Sequence, residues 1–262
     1  MRLSFLLRHC PPAIADSLYW RIFYKRQAMP LYAEYFERAP LAAAPGVAMS
    51  LSNKDSMHGM IAFTGWYERE LTARIRSRAV RGGVLVDVGA NWGYFSLIWA
   101  AANTTNRVIA IEAAPANIEP LRKNIVTNNF TERVTIVAAA AGATNEFLPF
   151  DTRSDDQQTG CGGLAPNDRT IALQVKVLPL DEICTGISRV DVLKVDVEGA
   201  ESLVLRGARK LLKAGAIREI FLELNETRMK NIGIAKNEPL RILQEFGYIC
   251  EQRGDALHAR VA

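Results

Sequence analysis

The sequence lacks the usual marks of a cross-linked or membrane-spanning protein. Its four cysteines are far apart, and no pair has the spacing of a zinc site or a redox motif; they are Cys10, Cys161, Cys184 and Cys250. We therefore expect reduced thiols in a cytoplasmic protein. No apolar run approaches the length of a membrane span, and Arg8 interrupts the first apolar stretch, so we expect no secretory signal.

Strong charge of either sign is also missing, since the formal net charge is only +4 over 262 residues. Residues 1–81 hold 12 Lys/Arg against 6 Asp/Glu, whereas the remainder holds 20 against 22. Residues 82–262 therefore have no electrostatic footprint for nucleic acid, and we expect no nucleic-acid partner. We interpret the basic N-terminal excess as a solvated helical face, with at most a peripheral membrane contact.

Apolar runs rich in β-branched residues alternate with helical patterns from residue 84 onward. The runs lie at 84–88, 107–112, 134–138, 190–196 and 217–224, and the helices at about 93–102, 116–127 and 199–213. This alternation predicts an α/β fold with a mostly parallel sheet covered on both faces. The interval 143–180 breaks the rhythm and predicts a hairpin-like insertion, whose polar loop at 151–169 is a candidate lid.

The chain ends with two short strands separated by Gly254-Asp255, a pair that suits a tight hairpin turn. A terminal antiparallel hairpin favours the methyltransferase variant of the Rossmann-like fold over the dehydrogenase variant. We predict seven strands in this sheet. We also predict an N-terminal helical extension and connection at residues 1–60, followed by the catalytic domain at 61–262.

The stretch VLVDVGANWGYFSL, residues 84–97, carries a strand into a glycine turn that lacks the middle glycine of a dinucleotide site. Gly89 and Gly93 leave room for a ligand, but Trp92 and Tyr94 would crowd a pyrophosphate. The carboxylate of Asp87 would repel a pyrophosphate and attract a cationic group. The turn therefore favours S-adenosylmethionine over NAD, with an NAD-dependent oxidoreductase as the alternative.

Glu112 ends the second apolar run, 23 residues after Gly89. A carboxylate at the end of the second strand can accept hydrogen bonds from both ribose hydroxyls. An unpaired acid after VIAI would be an unusual choice for a core position. We therefore predict that Glu112 binds the ribose of the cofactor.

These segments, together with VDVLKVDVEGAE and LELN, resemble the FkbM family of S-adenosylmethionine-dependent methyltransferases. The matching positions are Asp87, Gly89, Ala90, Asn91, Gly93, Glu112, Lys194, Asp196, Glu198, Gly199 and Glu201. TGWYERE resembles a further family segment at Gly65, Tyr67 and Glu68. The resemblance implies a class I methyltransferase fold and a cofactor site made by Glu68, Asp87, Gly89, Ala90, Asn91, Gly93, Glu112 and Asp196.

Acidic residues follow the two later strands, where ligands of open α/β sheets bind. Asp196 ends the strand at 190–196, Glu198 begins the helix that follows, and Glu223 lies near the carboxyl end of the next strand. We predict that Asp196 or Glu223, with Glu198 as a weaker candidate, deprotonates an acceptor hydroxyl during methyl transfer. The predicted reaction is O-methylation of a sugar, a glycan, a lipid-linked compound or another small molecule.

Other interpretations of the same residues stay open at this point. Two acids with Asn225 could hold Mg²⁺, although we predict no metal. The set of Lys194, Asp196 and Glu223 superficially resembles that of an RNA ribose methyltransferase. A non-catalytic cofactor-binding module and a homodimer are further alternatives.

Overall fold

The computed structural model describes residues 7–8, 10–26, 29–152, 160, 162–164 and 173–262. The helices are α1 (Pro12–Leu18), α2 (Ala33–Glu37), α3 (Ser56–Thr64), α4 (Arg69–Ala79), α5 (Tyr94–Ala102), α6 (Pro115–Thr127), α7 (Leu180–Ile183), α8 (Glu201–Arg206), α9 (Arg209–Lys213), α10 (Glu226–Asn231) and α11 (Glu238–Glu245). Short π- and 3₁₀-helical turns cover Tyr19–Phe23, Tyr24–Arg26 and Pro30–Tyr32.

The strands form three sheets. They are β1 (Ala39–Pro40), β2 (Ala48–Met49), β3 (Val84–Val88), β4 (Arg107–Glu112), β5 (Val134–Ala138), β6 (Ala140–Ala141), β7 (Glu146–Asp151), β8 (Gly163–Leu164), β9 (Leu173–Leu178), β10 (Val190–Val195), β11 (Ile217–Glu223), β12 (Tyr248–Arg253) and β13 (Ala256–Val261). β1 and β2 make a small antiparallel pair.

The central sheet has seven strands in the order β12-β13-β11-β10-β3-β4-β5. Strands β5, β4, β3, β10 and β11 run parallel to one another, and β13 runs antiparallel to both β11 and β12. The predicted α/β class, seven-stranded sheet and terminal antiparallel hairpin strand are therefore confirmed. The chain leaves β3 toward β4 on one side and returns to β10 on the other, and ligands bind at such a switch point.

Each face of this sheet has its own hydrophobic core, because successive strand side chains point to opposite sides. One cluster contains Leu85 of β3 with Trp99 of α5 and Leu121 of α6. The other contains Val86 of β3 with Leu193 of β10 and Val204 of α8. The two cores hold the carboxyl ends of β3, β4, β10 and β11 at a common edge.

The insertion after β5 forms a second, four-stranded sheet in the order β6-β9-β7-β8. Strands β7 and β9 pair antiparallel, which agrees with the predicted hairpin-like insertion. Most of the candidate lid at 151–169 lies outside the described residues.

The N-terminal segment packs onto the same core as the sheet. Tyr19 and Phe23 are buried and lie against Phe63 of α3, with ring centroids 6.1 and 4.9 Å apart. The division of the chain at residue 60 stays a prediction. Among the described residues, no helix combines the length and apolar character needed to span a bilayer.

The predicted single helix at 199–213 is wrong in one respect, since α8 and α9 are separate and Gly207 lies between them. A Cβ on Gly207 would lie 1.9 Å from the carbonyl oxygen of Gly142. The chain therefore bends where its backbone touches the start of the second sheet, and helical periodicity does not report that contact.

Candidate functional site

The turn after β3 folds back onto the end of β4. The backbone N–H groups of Gly89 and Ala90 both donate to the carbonyl of Ile111 at 3.0 Å. Gly89 has φ 74°, and a Cβ there would lie 1.9 Å from the carbonyl oxygen of Asp196. Only glycine allows this approach, so the turn joins the ends of β3, β4 and β10.

Glu112 is buried behind the turn, with 6% of its surface exposed. Its carboxylate accepts hydrogen bonds from the backbone N–H groups of Asn91 at 2.7 Å and Ala114 at 2.8 Å, and from the side-chain amide of Asn117 at 3.3 Å. Burial raises the pKa of Glu112. The carboxylate therefore shapes the loop and also lines the cleft beside it.

We name this cleft the nucleotide cleft. It is lined by Gly89, Asn91, Glu112, Phe150 and Asp196, among others. It contains four of the eight predicted cofactor residues. Ala90 and Gly93 instead form the turn itself, and Gly93 immediately precedes α5.

The predicted direct contact of Asp87 with a cationic ligand does not match its position in the structure. Asp87 is 1% exposed, accepts a hydrogen bond from the Ser96 hydroxyl at 2.7 Å, and lies 3.7 Å from the Lys194 ammonium. It is paired with Lys194 across β3 and β10, behind the turn. Its carboxylate therefore interacts with the Lys194 ammonium and does not contact a ligand in the cleft directly.

Lys194 is a buried cation that links the turn to the acidic residues. Its ammonium group donates to the carbonyl of Gly89 at 3.0 Å and to Asp196 at 3.3 Å. Burial opposes its charge, but Asp196, Asp87 and Glu68 together raise the pKa of Lys194 above its usual value. The spacing of two residues between Lys194 and Asp196 predicts that both side chains lie on the same side of the strand and can pair, and the structure confirms this pairing.

Asp196 and Glu223 follow or end adjacent parallel strands, as predicted, and line one acidic cleft. We define this cleft by Asp196, Glu198, Glu223, Asn225 and Asp255. Asp196 lines the nucleotide cleft as well. The two clefts therefore meet at a single carboxylate.

Glu198 is held by partners on the next loop. Its carboxylate accepts a hydrogen bond from the Asn225 side chain at 2.7 Å and lies 3.3 Å from the Arg228 guanidinium. Glu198 also has φ 58°, an uncommon conformation outside glycine. An ion-paired carboxylate is a weak proton acceptor, so this geometry favours a positioning role. No sequence signal linked Arg228 to Glu198.

Glu68 reaches the acidic residues from the loop before α4, where its φ is 39°. Its side chain shares a hydrogen bond with Glu223 and another with Tyr67. Desolvation by the cleft walls, together with Asp196 and Glu68, raises the pKa of Glu223 to about 8. Burial also raises the pKa of Glu68, although Lys194 opposes that shift. The two carboxyl groups repel each other when both are ionised, which opposes loss of the last proton from the pair.

A larger hollow meets Glu68, Lys194 and Glu223 from the other side. It lies between α4 and strands β11 and β13, and Leu71, Phe221 and His258 contribute to its walls. The rings of Phe221 and His258 stack with centroids 4.8 Å apart. His258 also contacts Glu219 at 2.7 Å. The sequence gave no indication of this hollow, because its walls come from distant segments.

The residues of the nucleotide cleft fit an S-adenosylmethionine cofactor. Glu112 offers a buried carboxylate and Asp196 a second carboxylate on the wall of the same cleft, and these would hold the ribose hydroxyls and the cationic methionine end. The missing side chain of Gly89 makes room for the Asp196 carbonyl. In the part of the chain that the structure describes, no group of three or more His, Cys, Asp or Glu residues is arranged to hold a metal ion. The absence of a metal stays a prediction.

Known proteins resemble this chain in sequence and, more distantly, in backbone. The chain is 24% identical over 202 residues to methyltransferase sdnD of Sordaria araneosa, covering 65% of this chain and 72% of that protein. It is 29% identical over 143 residues to methyltransferase 1 of Beauveria bassiana, covering 47% of this chain and 57% of that relative. Among solved structures, precorrin-6y C5,15-methyltransferase from Geobacter metallireducens aligns over 75% of this chain and 90% of its own, at 14% identity and a TM-score of 0.45.

The decisive match is to a family model described as the methyltransferase FkbM domain, over residues 87–250. It begins at Asp87, ahead of the glycine turn, and continues through both acidic strand ends into β12. The match covers well over half of the chain and confirms the methyltransferase activity and the S-adenosylmethionine cofactor expected from the motifs. The chain therefore belongs to the FkbM methyltransferase family.

Proposed function

We propose that this methyltransferase acts on an aliphatic hydroxyl. The carboxylates of Asp196 and Glu223 orient this hydroxyl and accept its proton. The observation that carries the proposal is the position of Asp196, which lines both the nucleotide cleft and the acidic cleft. A hydroxyl in the acidic cleft would therefore lie beside the cofactor cleft. Glu223 stands on the neighbouring strand and faces the same space.

The chain's residues divide the work of an O-methylation. S-adenosylmethionine, when bound, supplies an electrophilic methyl group on its sulfonium. In a transfer to oxygen, the methyl carbon would exchange its bond to sulfur for a bond to the acceptor oxygen, and Glu223 or Asp196 would take the proton that this oxygen loses. Lys194 holds Asp196 in place at 3.3 Å. Positioned general bases of this kind contribute about 10²–10⁴-fold.

Glu223 is the better of the two bases on electrostatic grounds. A pKa of about 8 makes its carboxylate a stronger proton acceptor than an ordinary glutamate. Asp196 instead accepts a hydrogen bond from the Lys194 ammonium, which fixes the position of its carboxylate. We assign Asp196 to orienting the hydroxyl and Glu223 to accepting the proton.

We propose a sugar, a glycan, a lipid-linked compound or another small molecule as the acceptor. The acidic cleft carries several carboxylates, which accept hydrogen bonds from hydroxyl groups and repel phosphates. The same repulsion disfavours an RNA substrate. The hollow beside Glu223 offers apolar surface from Leu71 and Phe221 for the body of the acceptor. We also propose a cytoplasmic location.

The test is kinetic. After an acceptor screen with labelled S-adenosylmethionine, Asp196→Asn and Glu223→Gln should each lower kcat by about 10²-fold or more. Glu245→Gln is the matched control, since this exposed carboxylate pairs with Arg209 on α9, away from the acidic cleft.

Cofactor binding separates loss of chemistry from loss of folding. Calorimetry with S-adenosylhomocysteine should give similar affinities for Glu223→Gln and the unchanged protein. Near-normal kcat in both acid variants would refute the assignment of these two residues. An acceptor screen that labels only nitrogen or carbon atoms would refute O-methylation itself.

A further inference from the structure

Large apolar side chains are exposed mainly along one N-terminal stretch. Six of the eleven exposed large hydrophobic residues among the described part of the chain fall within residues 14–31: Ile14, Trp20, Ile22, Tyr24, Met29 and Leu31. Leu31 is 72% exposed and Trp20 is 43% exposed. Such concentration at one place marks an interaction site, whereas scattered exposed residues need no explanation.

The stretch is fixed to the protein on its inner side. Tyr19 and Phe23 alternate with the exposed residues and are 0% and 4% exposed. Both rings lie against Phe63, and the Tyr19 hydroxyl donates to the carbonyl of Ser56. Trp20 and Tyr24 point outward together, with ring centroids 5.1 Å apart. The apolar surface is therefore presented by an ordered backbone.

The charges of the same stretch are mostly positive. Arg21, Lys25 and Arg26 carry them, and the one acid within residues 14–31, Asp16, pairs with the Arg69 guanidinium at 3.3 Å. All three cations are solvent-exposed and interleave with the exposed aromatic and aliphatic side chains. Trp and Tyr rings beside Lys and Arg are the composition of segments that lie in the interface of a membrane with anionic lipids.

We propose that residues 14–26 and 29–31 form a docking surface for an anionic membrane. The exposed side chains of Ile14, Trp20, Ile22 and Leu31 enter the headgroup region, and Arg21, Lys25 and Arg26 contact lipid phosphates and carboxylates. The surface contacts the membrane from one side without crossing it. A second copy of this chain would place like charges against each other, which disfavours the same surface as a dimer interface.

The proposal is tested by co-sedimentation of the full chain with vesicles. The protein should bind vesicles of phosphatidylcholine mixed with phosphatidylserine and bind pure phosphatidylcholine much more weakly. The Arg21→Gln, Lys25→Gln, Arg26→Gln triple variant should lose on the order of a hundredfold in affinity, since each cation near an anionic surface contributes about fivefold. Added salt should weaken binding in the same direction.

The apolar contribution is tested by the Trp20→Ser, Ile22→Ser double variant, which should abolish most binding while the thermal midpoint stays unchanged. The control replaces an exposed valine and an exposed arginine on α6, Val126→Ser with Arg122→Gln, and should bind as the unchanged protein does.

Lipids brominated on their acyl chains give an independent reading, because they should quench the fluorescence of Trp20. The quenching should disappear in Trp20→Tyr, which keeps an interfacial side chain. Three results would overturn the proposal: no binding to anionic vesicles, equal binding by the double variant, or a concentration-dependent dimer that the double variant abolishes. Methyltransferase activity is not needed for any of these measurements, so their outcome is independent of the proposed reaction.

Discussion

At the scale of single residues, the site is a set of carboxylates arranged around one buried cation. Asp87, Asp196 and Glu68 all act on Lys194, and Glu223 hydrogen-bonds to Glu68. Lys194 opposes the shift of Glu223, but desolvation and the charges of Asp196 and Glu68 outweigh it. Paired carboxyl groups of this kind resist being ionised together. A base with a raised pKa follows from this arrangement.

This arrangement predicts a pH dependence. The pKa of Glu223 is raised to about 8, and only its ionised form accepts a proton, so kcat/KM should rise as pH increases through that range. The midpoint belongs to the Glu68–Glu223 pair, because the two groups titrate together. In Glu223→Gln this rise should disappear. The kcat/KM of the remaining slow reaction should change by about tenfold or less between pH 6 and 9.

Initial-rate measurements over pH, in the unchanged protein and in Glu223→Gln, check this expectation. Glu119→Gln serves as control, since Glu119 on α6 is 83% exposed and pairs only loosely with Arg122. If the rise survives in Glu223→Gln, another group is the base.

At the scale of elements, the site depends on junctions where backbones touch. Gly89 brings the end of β3 against Asp196, and Gly207 brings the break between α8 and α9 against Gly142. The second junction also gives the backbone N–H of Asp181 a partner in the carbonyl of Gly207. These contacts set how the second sheet stands beside the nucleotide cleft, which Phe150 of β7 helps to line.

Gly207→Ala is therefore predicted to destabilise the protein. Helix propensity alone predicts a gain of about 1 kcal/mol for replacing glycine by alanine. A Cβ placed 1.9 Å from a backbone oxygen forces a shift instead, and such overpacking costs about 1–3 kcal/mol. Urea unfolding should show a lower free energy of unfolding. Ser77→Ala is the control at an exposed position of α4, where the hydroxyl donates only to the Arg74 carbonyl of the same helix, so it reports local helix effects without a tertiary contact. A Gly207→Ala variant as stable as this control would contradict the close contact.

At the scale of the whole molecule, one aromatic residue ties the N-terminal segment to the catalytic unit. Phe63 is 0% exposed and has ring contacts with Tyr19, Phe23, Tyr32, Tyr35 and Phe36. The cluster continues into Trp99 and Leu121 beneath the sheet. The segment that carries the proposed membrane surface thus shares its core with the catalytic fold.

Phe63→Ala should lower the free energy of unfolding by about 3–5 kcal/mol, because it empties the centre of this cluster. Residues 10–40 should also become accessible to trypsin at Arg21, Lys25 and Arg26 before the rest of the chain unfolds. Chemical unfolding and limited proteolysis measure the two effects. Phe147→Ala is the control, since Phe147 is 63% exposed and its truncation should change neither. Equal trypsin resistance in both variants would contradict the role of Phe63 as the anchor.

Sequence reasoning located those parts of the site that are local in the chain. Gly89, Glu112, Asp196 and Glu223 were candidates because each one follows or ends an apolar strand, and parallel strands place their carboxyl ends at one edge, where all four line clefts. The hairpin at Gly254-Asp255 was also predictable, because its turn chemistry is short-range, and it indicated the class of sheet. The FkbM motifs lie in these same local stretches.

Only the tertiary structure decided which side chains meet across the cleft. Glu68 contacts Glu223, and Arg228 contacts Glu198, although neither pair shares a strand or a helix. Asp87 is an acid near a strand end, as the others are, but its side chain lies beneath the turn and interacts with Lys194. The reason is physical: strand alternation and turn chemistry are set by neighbours in the chain, whereas protonation and pairing depend on distances between segments that folding alone brings together.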